Sequence, residues 1–160
     1  MKTFLLACVA VLVSVGAQAQ TQMQFPTTGW GGYAPTSIQC GTLKAANMNT
    51  TADQAIPISF PSSTYEITVI EISNASVSLT TAAGGFYQAA SKAGTAIVAN
   101  TQAYSTLTAA ATNAAGSTMA ATLNLATAAF NLRTIYLSLT TSQGAAATAD
   151  IRIFCRPLYG

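Results

Sequence analysis

The chain has 160 residues, enough for one ordinary domain, and its 51% hydrophobic content is ample for a core. Charged residues make up only 6% of it, against about 25% in typical soluble domains. The formal net charge is +2 and the cations are scattered, which argues against a nucleic-acid groove lined with phosphate-neutralising side chains. Ala, Thr, Ser, Asn and Gln stand where charge would normally sit, so the expected surface is hydrated but weakly repulsive.

The N-terminus reads as an export leader. Lys2 supplies a short positive region, Phe4 to Val15 an apolar run of about a dozen residues, and Ala17-Gln18-Ala19 a cleavage signal of small residues. Cleavage before Gln20 makes residues 1–19 a signal peptide and leaves the mature chain near +1, since Lys2 departs. A membrane helix needs about 20 apolar residues, more than this run offers. Leu5-Leu6-Ala7-Cys8 resembles a lipidation box, but its apolar stretch lies on the wrong side of Cys8. The expected location is periplasmic or extracellular, with no membrane association after cleavage.

Residues 20–36 (QTQMQFPTTGWGGYAPT) are rich in Gln, Gly, Thr and Pro and read as a loose arm. Trp30 and Tyr33 are its candidate partner contacts, because an aromatic on pliant backbone carries large apolar area to a neighbour. The competing reading folds both rings back onto their own domain. The glycines around them lack the lysine and following helix of a phosphate loop.

Residues 37–160 read as the folded domain. Ile38, Cys40 and Thr42 are expected to share one face of a first strand. Asp53 to Phe60 forms a second, with Pro57 placing it at an edge or a bulge. Tyr65 to Ile72 (YEITVIEI) is dense in β-branched and aromatic residues and is the strongest strand signal. A short strand is expected from Val77 and Leu79 up to Gly84-Gly85, with further candidates at Phe86–Ala89, Thr95–Ala99 and Tyr104–Thr108. Ala109 to Ala129 mixes helix-favouring alanines with threonines, and Met119 to Leu125 alternates as a strand does. Ile135, Leu137 and Leu139, then Ile151, Ile153 and Cys155, alternate with polar residues on either side of a turn at Ser142-Gln143-Gly144, which reads as a C-terminal hairpin. Ser78-Leu79-Thr80-Thr81 with Gly84 recurs as Ser138-Leu139-Thr140-Thr141 with Gly144, a short echo that equivalent strand-to-turn elements would produce. Many short strands with regular turns make the fold all-β, an antiparallel β-sandwich with the jelly roll among its forms.

With Cys8 removed, Cys40 and Cys155 remain, and two cysteines in an exported chain most simply pair. Such a bond ties the first strand to the last; two free buried thiols are the alternative. The chain has no histidine, which removes the commonest general base and metal ligand. Its carboxylates are Asp53, Glu66, Glu71 and Asp150. Glu66 and Glu71 lie five apart on one strand, so strict alternation sends them to opposite faces, away from the facing pair a glycosidase needs. The sequence therefore argues against an enzyme and calls for no cofactor and no metal. Asn49-Thr50-Thr51 and Asn74-Ala75-Ser76 match the glycosylation sequon, but beside a bacterial-looking leader they read as chance matches.

The run Ile72 to Ala99, containing ISNASVSLTTAAGGFYQAA and SKAGTAIVA, resembles a family of small proteins encoded by tailed bacteriophages and prophages. Leu137 to Asp150 (LSLTTSQGAAATAD), followed by an alternating terminal strand, is similar to that family's closing motif, and together the segments cover residues 65–155. The resemblance implies a virion structural or accessory protein, of the head-decoration or tail-associated kind, with a β-sandwich body and protein partners. It carries over no catalytic residues. The leader departs from that family, whose members assemble in the cytoplasm, and a domesticated copy working outside the cell accommodates both features. A secreted binding module for a cell-surface glycan or protein is the alternative, with Trp30, Tyr33, Phe86, Tyr87 and Tyr104 as its stacking candidates.

Overall fold

The computed structural model describes residues 37–110, 116–125 and 128–158. The leader, the arm and with them Trp30 and Tyr33 lie outside the described residues. The described chain forms eight strands: β1 (Ile38–Asn47), β2 (Gln54–Pro57), β3 (Tyr65–Ser73), β4 (Ala83–Tyr87), β5 (Ala96–Val98), β6 (Met119–Ala120), β7 (Thr134–Thr141) and β8 (Thr148–Pro157). They make two four-stranded antiparallel sheets, in the orders β1-β8-β3-β6 and β2-β7-β4-β5, which pack face to face as a β-sandwich.

The order has a simple origin. Strand β1 pairs with β8, β2 with β7, β3 with β6 and β4 with β5, so the chain is one long antiparallel ribbon folded back at β4–β5. Rolling that ribbon brings β3 against β8 and β4 against β7. This is the jelly roll, with its two Greek keys. Every connection except β4–β5 passes from one sheet to the other.

The core lies between the sheets. Ile67, Ile70 and Ile72 of β3 and Ile151 and Ile153 of β8 face Ile56 of β2, Ile135, Leu137 and Leu139 of β7 and Phe86 of β4, all buried. Each such aliphatic side chain contributes roughly 1.5–3 kcal/mol by leaving water. Tyr65 anchors one end, its ring 5.5 Å from Phe60 and 6.1 Å from Phe130, with its hydroxyl donating to the Leu132 carbonyl at 2.7 Å. Burial pushes that phenol up to about 12.

Several expectations need correction. The two C-terminal strands are not a hairpin: β7 pairs with β2 and β4 in one sheet, β8 with β1 and β3 in the other. Alternation reports one buried face, and in a sandwich that face looks the same whichever sheet supplies it. Val77 to Leu79 and Tyr104 to Thr108 are not regular strands. They run side by side with sparse bonds, Leu79 N–H to Leu107 O at 2.9 Å and Tyr104 N–H to Ala82 O at 3.0 Å. The Gln143 side chain takes the place of a neighbouring strand, donating to Ser78 O and the Thr80 hydroxyl and accepting from the Thr81 and Ala82 amides. The Ser-Leu-Thr-Thr echo therefore joins an irregular segment to part of β7, and its two glycines differ: Gly144 has φ +82° in an open turn, whereas Gly84 lies against β7. The stretch Met119 to Leu125 gives only the two-residue β6 and a bridge at Leu123.

Candidate interaction surfaces

The charged residues divide sharply between the two sheets. No strand of the second sheet contains a charged residue, whereas those of the first carry Lys44, Glu66, Glu71, Asp150, Arg152 and Arg156. All six stand on its outer face: Ile67, Ile70, Ile72, Ile151, Ile153 and Cys155 beside five of them point into the core, and Lys44 is exposed and paired to Asp150. They form three ion pairs: Lys44 Nζ to Asp150 Oδ2 at 2.9 Å, Arg152 to Glu71 at 3.2 Å and Arg156 to Glu66 at 2.7 Å.

That two of these pairs share a face overturns the expectation that Glu66 and Glu71 point oppositely. Strand β3 carries a β-bulge: Ile67 sits opposite Cys155 and Val69 opposite Phe154, so Thr68 is an extra residue with no partner of its own. One inserted residue reverses the alternation beyond it and turns Glu71 to the side of Glu66. Strand β8 has no such break, and Arg152 and Arg156 meet the two carboxylates in register. Similarly, the bulge in β1 between Gln39 and Gly41 buries Cys40 and leaves Thr42 exposed, so the two do not share a face, and a second irregularity lies between Leu43 and Ala46.

Between the two arginine–glutamate pairs lies an uncharged gap filled by Val69 and Phe154, directly opposed on β3 and β8. Val69 is 38% exposed and is one of two large hydrophobic side chains left so open among the described residues. Gln39 of β1 flanks Phe154.

Asp150 is the hub at one end of this face. Its carboxylate accepts from the Ala45 amide, the Asn74 side-chain amide and Lys44, each at 2.9 Å. Ala45 and Asn74 both hold left-handed backbone, at φ 50° and 53°, a region that non-glycine residues occupy at a cost. Asp150 thus clamps the β1 bulge and the end of β3 onto β8. Burial alone would raise its carboxyl, but these hydrogen bonds outweigh burial and hold it down at about 2.

The second sheet's outer face is different in kind. Tyr87 and Ser138 point outward from β4 and β7, away from inward Phe86, Leu137 and Leu139, yet Tyr87 is 5% exposed and Ser138 is wholly buried. Asp53, beside the start of β2, accepts the Ser91 amide and so fixes the turn between β4 and β5, where Ser91 and Lys92 are both left-handed. The Ser91 hydrogen bond is the main cause of that carboxyl's lowered pKa. Packing of β4 against its neighbours demands Gly84 and Gly85: a Cβ on the first would overlap the β7 backbone at Leu139, and on the second the Val98 carbonyl of β5.

Cys40 and Cys155 are joined in a disulfide between β1 and β8, with their Cα atoms 5.7 Å apart. Both are buried, beside a shallow open dimple lined by Gln39, Gly41, Thr42, Pro57 and Ser59. Of the stacking candidates, Phe86, Tyr87 and Tyr104 are buried, and the Tyr104 hydroxyl is spent on the Gly84 carbonyl at 3.0 Å. Among the described residues no three His, Cys, Asp or Glu side chains gather where they could hold a metal, and no helix is long and apolar enough to cross a membrane. Each of the four carboxylates is engaged by a cation or an amide. Comparison with family models, with characterised proteins and with solved structures finds no match to this chain.

Proposed function

We propose that this chain is a non-enzymatic structural protein that packs with copies of itself or onto a larger assembly, as a phage virion decoration or tail-associated protein does. The observation that carries this reading is the way the jelly roll spends its few charged side chains. All four carboxylates are committed to ion pairs or backbone amides, so none stands free as an acid or base beside a cleft. The resemblance over residues 65–155 supports the same reading, and jelly rolls serve as capsid domains among other roles. A chain with 6% charged residues meets little mutual repulsion when copies crowd together. The leader takes the mature protein out of the cytoplasm into an oxidising compartment, and there the Cys40–Cys155 bond closes.

Sedimentation velocity of the mature protein tests this. The expected result is concentration-dependent association, or comigration with particles recovered from the producing culture. A strict monomer that comigrates with no particle would overturn it.

A further inference from the structure

We propose that the outer face of the β1-β8-β3-β6 sheet is a two-fold contact between copies of this chain, centred on Val69 and Phe154. The proposal rests on the assembly reading and gives it an address. Of the two outer faces, this is the one whose strands carry a large apolar side chain left open, Val69, whereas Tyr87 and Ser138 on the other are buried although they point outward.

The register supplies the symmetry. Along β3 the outward residues run Glu66, Val69, Glu71, and opposite them on β8 run Arg156, Phe154, Arg152. An apolar centre is therefore flanked on each side by an arginine–glutamate pair, with both arginines on one strand and both glutamates on the other. A two-fold axis parallel to these strands and midway between them lays β8 of one copy over β3 of the next. Arg152 then meets Glu71 of the second copy, Arg156 meets its Glu66, and Phe154 meets its Val69. Each charge faces its opposite twice, once within the chain and once across the contact. The orientation is also selective, because an axis across the strands would set arginine against arginine. Sheets packed face to face in the aligned class keep their strand directions within about 30° of each other, which an axis parallel to the strands permits. Arginine and phenylalanine are both enriched in protein interfaces, and a self-complementary patch is what a two-fold contact requires.

Two variants of the mature protein decide the matter by sedimentation velocity, with circular dichroism confirming the fold. Val69→Asp places a lone carboxylate at the apolar centre and is expected to weaken association by about tenfold or more. The double exchange Glu71→Arg with Arg152→Glu keeps the pair within each chain and restores it across a contact between identical copies. It is expected to self-associate like the parent. Labelled parent and exchanged chains, when mixed, would set like charge over like charge, so mixed dimers are expected to be depleted by about tenfold. Association that ignores Val69→Asp, or free mixing of the two charge patterns, would overturn this contact while leaving the assembly reading intact. A parent protein that stays monomeric and joins no particle would end both.

Discussion

The two sheets of this sandwich use different means to the same end. The first holds together through side chains: a disulfide between β1 and β8 and three ion pairs, with Asp150 clamping two left-handed backbone positions. The second holds together through backbone proximity. Its strands carry no charge, and Gly84 and Gly85 let β4 lie closer to β7 and β5 than any side chain permits. The first sheet is thus open to change by chemistry, by reduction or by pH, and the second mainly by volume.

The largest expected effect comes from the covalent tie. Replacing Cys40 and Cys155 together with alanine frees a separation of 115 residues, which in the chain-entropy account costs roughly 5 kcal/mol. Denaturant unfolding measures the loss. Hydrogen exchange locates it, and β1 amides should lose protection before those of β7. Equal loss in both sheets would mean that the sandwich unfolds as one unit whatever ties it.

Gly85→Val is the matching lesion on the other sheet. The new side chain meets the carbonyls of Val98 and Ala99, which belong to backbone and cannot swing aside. Overpacking of this kind costs roughly 1–3 kcal/mol, read as a lower denaturant midpoint. The first sheet's β1–β8 amides should keep their protection. A neutral result would show that β5 yields easily and that the close approach is incidental.

How much of this was legible in the sequence follows the same division. Strand β3 was plain because Tyr65-Glu66-Ile67-Thr68-Val69-Ile70-Glu71-Ile72 is dense in residues that suit a pleated surface. The cysteine pairing followed from the count, since reading residues 1–19 as a leader leaves Cys40 and Cys155 as a pair. The charged face was hidden by a single residue. Nothing in the period-two pattern marks Thr68 as an insertion, yet without it Glu71 would point into the core. The false hairpin of β7 and β8 had a related cause: alternation shows that a strand has one buried face but not which sheet it joins. Val77 to Leu79 looked like a strand because its apolar residues alternate with Ser78, but Leu79 makes a single backbone bond to Leu107, and the Gln143 side chain, 60-odd residues on, takes up the Ser78 carbonyl and the Thr81 and Ala82 amides.

Acid separates the sheets more gently. The Asp150 carboxyl has its pKa lowered from 3.8 to about 2, so its contribution is complete above the unfolded value and is lost as pH falls toward 2. At about 1.4 kcal/mol per pKa unit the shift corresponds to roughly 2 kcal/mol, which exposure of the Lys44 partner discounts to about 1–2 kcal/mol. Between pH 5 and pH 2 the parent should lose about that much more stability than Asp150→Asn, whose own penalty does not depend on pH. Identical acid profiles would show that Asp150 does not carry the acid response.

The smallest effect concerns Glu71, and it bears most directly on what the charged face is for. Its partner Arg152 is 36% exposed at the side chain and Glu71 27%, so water and salt screen the pair. Pairs of this kind contribute roughly 0–1 kcal/mol to folding. Glu71→Gln, made together with Val69→Asp so that association adds nothing, should shift unfolding by no more than about 0.5 kcal/mol. The shift should shrink further as salt is raised. Folding alone then gives little reason for a charge-poor chain to line up Glu66 and Glu71 on one face through a bulge. A loss several times larger would reverse the argument: the pair would be holding β3 to β8, and the face would need no second copy to account for it.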